Sequence, residues 1–230
     1  MTKLVDLLDQ MKYRRTFGFF DDFDALPSAQ RWTADPINSG SVAVAAAPAG
    51  IVSVVPSGGS PAAHDQTYLT TTQPLFAFAA DRPLIFEAAL QFTEANTNQA
   101  DVMVGLVSGG VGAGVIQNSG APQASYTGMV FYKAAGSTVW NCQSSVGSVQ
   151  ATTATTQKSG LADYQTLTGQ WQPISSTQAE ARFFIDGLLV ANQLLTFSGV
   201  TALQLFAGVA NGSSTMETLY LDYLAGYQLR

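Results

Sequence analysis

The apolar residues at the start of the chain repeat with the period of a helix. Positions i, i+3, i+4 and i+7 of this stripe are Leu4, Leu7, Leu8 and Met11. A helix over residues 2–12 is too short to be stable alone in water, so its stripe must dock on another surface. We therefore expect residues 1–16 to form an N-terminal arm that packs either on its own domain or on a neighbouring subunit.

After Phe17 the pattern changes to short apolar or alternating runs, separated by clusters of Gly, Pro, Asn and Ser. Such runs at intervals of roughly ten residues are typical of an antiparallel β-sandwich or barrel. They predict strands over residues 17–23, 41–46, 50–55, 66–71, 84–93, 101–108, 126–133, 137–146, 148–155, 163–169, 179–186, 188–195, 202–210 and 216–229. We expect one all-β sandwich domain over residues 17–230, because such domains often run to about 200 residues or more.

Two long strands and one hairpin give this prediction its sharpest support. Residues 84–92 and 218–224 have the composition of long strands, rich in Leu, Phe and Tyr. Asp186-Gly187 separates two apolar runs and supplies the two positive-φ positions of a type I′ hairpin turn. We expect the strand at the end of the chain to close a sheet beside the first strand, around Phe19, Phe20 and Phe23.

Composition and charge narrow the function without identifying it. Only 11% of the residues are charged and 47% are hydrophobic, so hydroxyl and amide groups must supply much of the polar surface. The net charge is −6, and the ten Lys and Arg residues are scattered apart from a short group over residues 12–15, so we expect no nucleic acid partner. The single cysteine excludes an intrachain disulfide, and no apolar run is long enough to predict a membrane span.

Several short motifs stand in order along the chain. They are Phe20-Asp21-Asp22-Phe23, Trp32, Phe86-Glu87-Ala88, Phe184-Ile185-Asp186-Gly187 and Leu221-Asp222-Tyr223. Together they resemble the concanavalin A-like lectin/glucanase sandwich, or jelly roll, over about residues 17–229. More narrowly, residues 100–107, 126–133 and 138–140 look like a group of tailed-phage virion proteins with that fold.

The resemblance to phage proteins implies a role as well as a fold. Proteins of that group that decorate phage heads tend to form trimers on the capsid surface, often with an arm that clasps neighbours. The resemblance therefore implies a capsid decoration or cement protein, assembled in the host cytoplasm as a homotrimer and bound to the major capsid protein on the virion. Its partner-binding residues would lie in the arm: Leu4, Leu7, Leu8, Met11, Arg14 and Arg15.

A carbohydrate-binding module, on a virion or free, is the alternative function. Aromatic rings stack on sugars in lectins, and six aromatic residues could form such a platform. They are Trp32, Trp140, Trp171, Tyr126, Tyr132 and Tyr164. At alternating strand positions such residues are more often core anchors, so we expect one or two of the three tryptophans to be buried. A degenerate glycan hydrolase is the third hypothesis.

We expect no enzymatic activity and no catalytic residues. Glycoside hydrolysis needs two facing carboxylates, and the relevant glucanases place them on one strand as Glu-x-Asp-x-x-Glu. No glutamate of this chain has an acidic residue two positions away; the four are Glu87, Glu94, Glu180 and Glu217. Strand alternation places Glu87 on the face opposite Phe86, on the solvent side.

The remaining reactive residues are few. His64 is the only histidine. In a Ser-His-Asp triad the aspartate orients the histidine that acts as base, and two residues adjacent in sequence, such as His64 and Asp65, cannot face each other in this way. We therefore expect His64 to be a solvated loop residue rather than a catalytic base. Cys142 is expected to be a half-buried strand residue beside Trp140 rather than a nucleophile. With one His and one Cys, an ordinary zinc site is not expected.

We expect no cofactor, with one alternative kept open. Asp21, Asp22 and Asp24 form the only acidic cluster, and lectin-like sandwiches frequently hold calcium with clustered oxygen ligands. The cluster lacks the alternating spacing of a dedicated calcium loop, and such clusters are more often solvated at the end of a strand. Calcium is therefore a secondary expectation at these three residues.

Overall fold

The computed structural model describes residues 16–25, 27–46, 50–92, 94, 99–108 and 115–230. Every regular element among them is a β-strand, and every strand pair is antiparallel. The sixteen strands form two eight-stranded sheets that face each other. The predicted arm helix lies outside the described residues, with Leu4, Leu7, Leu8, Met11, Arg14 and Arg15. Among the described residues, no helix is long and apolar enough to cross a membrane.

The first sheet, sheet I, contains both ends of the sandwich domain. In spatial order its strands are β14 (Leu188–Thr196), β13 (Gln178–Ile185), β12 (Gln165–Pro173), β7 (Leu84–Phe92), β16 (Leu219–Leu229), β4 (Ile51–Ser57) and β3 (Ser39–Ala46). The first strand, β1 (Thr16–Asp21), pairs with the second half of β16. The predicted closure of the sheet by the two chain ends is therefore confirmed, with Phe20 opposite Ala225.

The second sheet, sheet II, is built from the middle of the chain. In spatial order its strands are β11 (Val149–Lys158), β10 (Val139–Val146), β9 (Gly128–Lys133), β8 (Ala100–Ser108), β15 (Thr201–Asn211), β5 (Gln66–Thr71) and β2 (Trp32–Pro36). A short strand, β6 (Phe76–Phe78), pairs with the start of β15. Strands that are neighbours in space are often distant in sequence, as in a jelly roll.

Aromatic side chains fill the space between the sheets. Phe131 of sheet II packs edge-on against Phe86 and Phe183 of sheet I, with ring centroids 6.2 and 5.2 Å away. Trp171 stacks on Phe78 with ring centroids 3.8 Å apart. Burial of such large apolar surfaces is the main stabilising term available to a chain with no disulfide.

The strand pattern follows the sequence closely, with two exceptions. Every predicted strand overlaps an observed one, and the Asp186-Gly187 turn has the two positive φ angles expected, 50° and 79°. The sequence pattern misses β2 and β6. β2 contains one buried residue, Trp32, among exposed or half-buried ones, and β6 is only three residues long, so neither shows a repeating alternation.

Gly169 on β12 is required by the ring that lies against it. A Cβ at this position would lie 2.1 Å from Cε1 of Phe86. That ring is fully buried and packed against Phe131, so it has little room to move. We predict that Gly169→Ala lowers the free energy of unfolding by about 1–3 kcal/mol, measured by urea unfolding. The double variant Gly169→Ala/Phe86→Leu should lose less than the sum of the single losses; simple additivity would contradict this assignment.

Cys142 is fully buried on β10, rather than half-buried as the sequence suggested. Burial raises the pKa of its thiol to about 12, so almost no thiolate exists at neutral pH. We predict that a water-soluble thiol reagent leaves the native protein unmodified at pH 8 and labels Cys142 on unfolding in urea. Rapid labelling without urea would contradict the packing described here.

Candidate functional site

The outer face of sheet II is closed by the protein's own chain. Its outward-facing side chains form a second apolar cluster: Tyr68, Met103, Val107, Val130, Tyr132, Phe206 and Ala210. Residues 115–126 lie over this cluster, and Val115, Ile116 and Tyr126 are buried against it. A ligand could reach this face only if the covering segment moved.

Hydrogen bonds hold the covering segment in place. Nε2 of Gln66 donates to the carbonyl of Ile116 at 2.9 Å. The hydroxyl of Tyr126 donates to Oε1 of Gln143 at 2.8 Å. Burial raises the pKa of the Tyr126 and Tyr132 phenols, because the charged form would lose its hydration. Both phenols therefore stay neutral and serve packing and hydrogen bonding.

The proposed aromatic platform is not assembled. Trp32, Trp140 and Trp171 are only 2%, 0% and 1% exposed, so all three tryptophans are core anchors. Tyr126 and Tyr132 are buried on the closed face of sheet II, whereas Tyr164 is exposed near sheet I. The aromatic residues expected to stack on a sugar are therefore dispersed, and five of the six lie inside the protein.

The outer face of sheet I carries a different aromatic group. We call this surface the tyrosine face; it comprises Phe20, Glu87, Tyr220, Tyr223 and Tyr227. These residues come from three neighbouring strands, β1, β16 and β7, and none of them is fully buried. The ring of Phe20 is stacked on Tyr223 with centroids 5.7 Å apart, and Phe20 is 47% exposed.

Small residues let the tyrosine rings lie close to the sheet. Gly18 on β1 is opposite Tyr227, whose ring lies over it; a Cβ on Gly18 would be 2.8 Å from that ring. Ala89 and Ala225 occupy the same face beside Tyr223 and Glu87. On this face, each aromatic residue therefore has a small residue beside it on a neighbouring strand, and the rings can lie flat on the sheet.

Glu87 is the acidic centre of the tyrosine face. The hydroxyl of Tyr223 donates to Oε1 of Glu87 at 2.7 Å, and Oγ1 of Thr168 donates to Oε2 at 3.0 Å. Burial and then the hydrogen bond to Glu87 raise the pKa of Tyr223; burial and the charge of Glu87 do the same for Tyr227. These two hydrogen bonds hold the Tyr223 side chain in one orientation and give each carboxylate oxygen of Glu87 a donor.

In the acidic cluster at the end of β1, Asp21 has a structural role. Asp21 Oδ2 accepts a hydrogen bond from Nε1 of Trp32 at 2.7 Å and lies 3.1 Å from the Arg31 guanidinium. Asp22 and Asp24 are exposed. Within the described ranges, no three His, Cys, Asp or Glu residues are grouped as metal ligands. Calcium binding at Asp21, Asp22 and Asp24 stays a prediction.

His64 and Asp65 serve backbone structure in a loop. His64 is half-buried, has a positive φ of 71°, and donates its backbone N–H to the carbonyl of Asn211. The Asp65 carboxylate accepts hydrogen bonds from Asn38 Nδ2 at 2.5 Å and from the backbone N–H of Ala62 at 2.8 Å. The Asp65 carboxylate therefore stabilises the conformation of this loop.

Sequence reasoning missed the tyrosine face because of one irregularity. A bulge in β16 shifts the register between Leu221 and Tyr223, opposite β7. Plain alternation would place Tyr220 and Tyr223 on opposite faces, but the extra residue returns both to the outer face. Only the clustering of tyrosines in the last strand signals this surface in the sequence.

Comparison with known proteins defines the fold. No family model matches the chain, and no curated protein matches it. Among solved structures, an endo-1,3-β-glucanase from Streptomyces sioyaensis aligns over 94% of this chain and 97% of its own, with a TM-score of 0.62 and 14% identity. The Emp46p carbohydrate recognition domain aligns over 89% and 94%, with a TM-score of 0.61 and 12% identity. The Bacillus licheniformis β-glucanase aligns over 90% and 96%, with a TM-score of 0.57 and 10% identity.

These similarities are similarities of fold. The matched structures include enzymes and carbohydrate recognition domains, all at low sequence identity, so they leave the activity open. They agree with the two-sheet architecture and with the lectin/glucanase resemblance of the five short motifs, and they do not bear on the narrower resemblance to phage virion proteins. The chain therefore has an antiparallel two-sheet β-sandwich fold of the jelly-roll kind seen in these glucanases and carbohydrate recognition domains.

Proposed function

We propose that this chain is a non-enzymatic binding protein that decorates the outer surface of a phage head. In this proposal it forms a homotrimer, binds the major capsid protein and stabilises the shell. The observation that carries it is the contrast between the two outer sheet faces: sheet II is sealed by residues 115–126, whereas the tyrosine face of sheet I is open. The resemblance of residues 100–107, 126–133 and 138–140 to virion proteins supports the choice of partner.

The composition of the tyrosine face favours a protein partner. Binding sites for small molecules are usually concave and enclosed, whereas protein interfaces are broad and enriched in Tyr, Phe and Arg. The tyrosine face spreads over three adjacent strands; Tyr223 is held by its hydrogen bond to Glu87, and the ring of Tyr227 packs on Gly18. Fixed aromatic side chains lose little conformational entropy on binding, which suits an interface.

A second contact would come from the N-terminal arm. β1 begins at Thr16, so the arm joins the sandwich at the strand that carries Phe20. A partner that engaged both the tyrosine face and the arm would gain from multivalency, because the second contact forms at high local concentration. Binding to the assembled shell then stabilises it by mass action, without a covalent step between the two proteins.

A non-enzymatic role also fits the acids of the chain. The sequence contains no Glu-x-Asp-x-x-Glu pattern, which the relevant glucanases use. Glu87, the acid on the open face, has both carboxylate oxygens occupied by Tyr223 and Thr168.

Carbohydrate binding by the tyrosine face is the second candidate. The Phe20–Tyr223 pair presents an exposed aromatic ring beside hydroxyl groups, which is the chemistry that recognises a sugar. Carbohydrate recognition domains such as that of Emp46p share the fold. The two candidates use the same surface, so one set of variants can distinguish them.

Phe20→Ser tests the tyrosine face directly. Phe20 is half exposed, so the variant should remain folded, while the loss of an exposed aromatic anchor should weaken binding to decoration-free phage heads by about tenfold or more. Co-sedimentation with heads at a series of protein concentrations gives the affinity. Val149→Ser, an exposed position on sheet II, is the matched control and should bind normally.

The same variants separate the two candidates. Unchanged head binding by Phe20→Ser would remove the tyrosine face from the capsid contact. Glycan-array binding by the unmodified chain that Phe20→Ser abolishes, without any head binding, would replace the decoration role with carbohydrate recognition.

Deletion of residues 1–15 tests the arm and leaves every residue of β1 in place. We predict that the shortened chain unfolds at the same urea concentration, because the two sheets are intact, but occupies fewer sites on heads at equal concentration. Occupancy is measured by densitometry of purified particles. Full occupancy would contradict a binding role for Leu4, Leu7, Leu8, Met11, Arg14 and Arg15.

A further inference from the structure

Strand β14 is a free edge of sheet I. It pairs with β13 on one side, and among the described strands none pairs with its other side. Its nine residues, Leu188–Thr196, include no charged residue and no proline. Proteins usually block such an edge with Lys, Pro or a very short strand, because its open backbone groups can pair with another chain. The pairing with β13 skips Val190 and is regular over residues 191–196, so most of the strand is straight enough to accept a partner.

The hydrogen-bond phase of β14 shows which backbone groups are open. The N–H of Phe197 donates to the carbonyl of Thr177, just beyond the end of the strand. Hydrogen-bonded and non-hydrogen-bonded residue pairs alternate along an antiparallel pair, and the register is unbroken from this bond back to the bulge. The N–H and C=O groups of Asn192, Leu194 and Thr196 therefore point away from β13. Within the described ranges, no other group bonds to them.

The side chains on this edge leave unusual apolar surface exposed. Leu194 is 63% exposed and lies on the outer face between the exposed side chains of Asn192 and Thr196. Leu188 and Leu189, at the start of the strand, are 57% and 51% exposed. These three are all the exposed leucines that lie on described strands. Covering them would remove apolar surface from water, which favours association.

The end strands at the other three sheet edges lack this combination. β2 contains Asp35 and Pro36, which both discourage strand pairing. β3 is uncharged, but its exposed side chains are only Ser and Ala. β11 exposes Val149 at its start and then mostly Thr and Gln side chains as far as Lys158. The open backbone groups and the exposed leucines therefore coincide at β14.

We propose that two copies of this chain pair through β14, antiparallel, about a two-fold axis beside Leu194. In this register Leu194 lies opposite its counterpart in the second copy, and Asn192 lies opposite Thr196. Each of these facing pairs exchanges two backbone hydrogen bonds through the open groups. An axis beside Asn192 or Thr196 would leave open groups at one end of the strand without partners, so the phase of the strand selects Leu194.

The edge is complementary to itself, which a contact between identical surfaces requires. Leucine meets leucine at the axis, and an amide meets a hydroxyl on each side of it. Charge does not oppose the pairing, because the nearest charged residues are Glu180 and Arg182 on β13, opposite Leu194 and Asn192. These two neutralise each other: Nε of Arg182 donates to Oε2 of Glu180 at 2.7 Å. A second copy is therefore the occupant that this edge fits.

The pairing has a consequence for the outer faces of the two copies. Directly opposed residues of paired strands lie on the same face of a sheet, so the axis stands perpendicular to the joined sheet. The tyrosine faces of the two copies then lie on the same side. A pair of copies would present both faces to one shell and gain from multivalency, a consequence that rests on the function proposed above, whereas the pairing itself does not.

Sedimentation velocity of the full-length chain at a series of concentrations tests the pairing. Leu194→Lys should weaken self-association by about tenfold or more in Kd, because two lysines would face each other across the axis. In the homotrimer proposed above, the same contact joins chains of neighbouring trimers, so its loss halves the mass of the assembly in that case too. A chain that sediments only as a monomer or only as a trimer across the micromolar range would overturn the pairing, as would unchanged association of Leu194→Lys.

The matched control is Val149→Lys, which adds the same charge at a 73% exposed residue on the edge of sheet II. It should associate like the unmodified chain, and both variants should unfold at the same urea concentration because each changes an exposed side chain. An equal loss of association in Val149→Lys would show a general effect of charge and count against β14.

A mixture of Leu194→Lys and Leu194→Glu tests the register. Each variant alone places like charges across the axis, whereas a mixed pair places Lys opposite Glu. The equimolar mixture should therefore recover the association that each variant alone has lost. Failure of the mixture to associate would overturn the axis beside Leu194. These measurements need no phage heads, so their failure leaves the capsid proposal standing, and a failure of head binding leaves the pairing standing.

Discussion

The facing apolar layers of the two sheets are the constraint on which the rest of the structure depends. Alternate residues of each central strand point into one continuous core, and the aromatic contacts there join Phe131 of sheet II to Phe86 and Phe183 of sheet I. Since strand periodicity is two, fixing the inner residues also fixes the outer ones. The outer faces can then differ completely: one is covered by residues 115–126, and the other exposes the tyrosine face.

This periodicity explains why the sequence predicts the sandwich so well. Apolar and polar residues alternate, or long apolar runs occur, in β7, β13, β14 and β16. The residue types of Asp186-Gly187 predict the positive φ angles that the turn adopts. The failures have physical causes. β2 is held by one tryptophan, and the β16 bulge reverses the phase of Tyr223 relative to Tyr220. A pattern that assumes strict alternation does not detect a single inserted residue, so the sequence shows a cluster of tyrosines in the last strand but not that Tyr220 and Tyr223 share a face.

The sealed face of sheet II limits what the fold can do here. Glucanases and carbohydrate recognition domains share this architecture, so the architecture is compatible with both catalysis and binding. Such proteins differ in the side chains that they leave accessible to a ligand or partner. In this chain Tyr126 and Tyr132 are buried in the covered cluster of sheet II, whereas Phe20 and Tyr223 lie on the outer face of sheet I. The tryptophans that looked most like ligand platforms serve the core because their large rings fill the space between the sheets.

The ion pair of Lys133 and Glu94 bears on the stability of the sandwich, because the lysine side chain is 0% exposed and the glutamate side chain 18% exposed. Glu94 follows β7 of sheet I and Lys133 ends β9 of sheet II, so their contact joins the two layers. A disulfide cannot join them, since the chain has one cysteine. Loss of Glu94 alone would leave the Lys133 ammonium buried with the Ala100 carbonyl as its remaining hydrogen-bond partner among the described residues, so breaking one half of this pair costs more stability than replacing both halves by apolar residues.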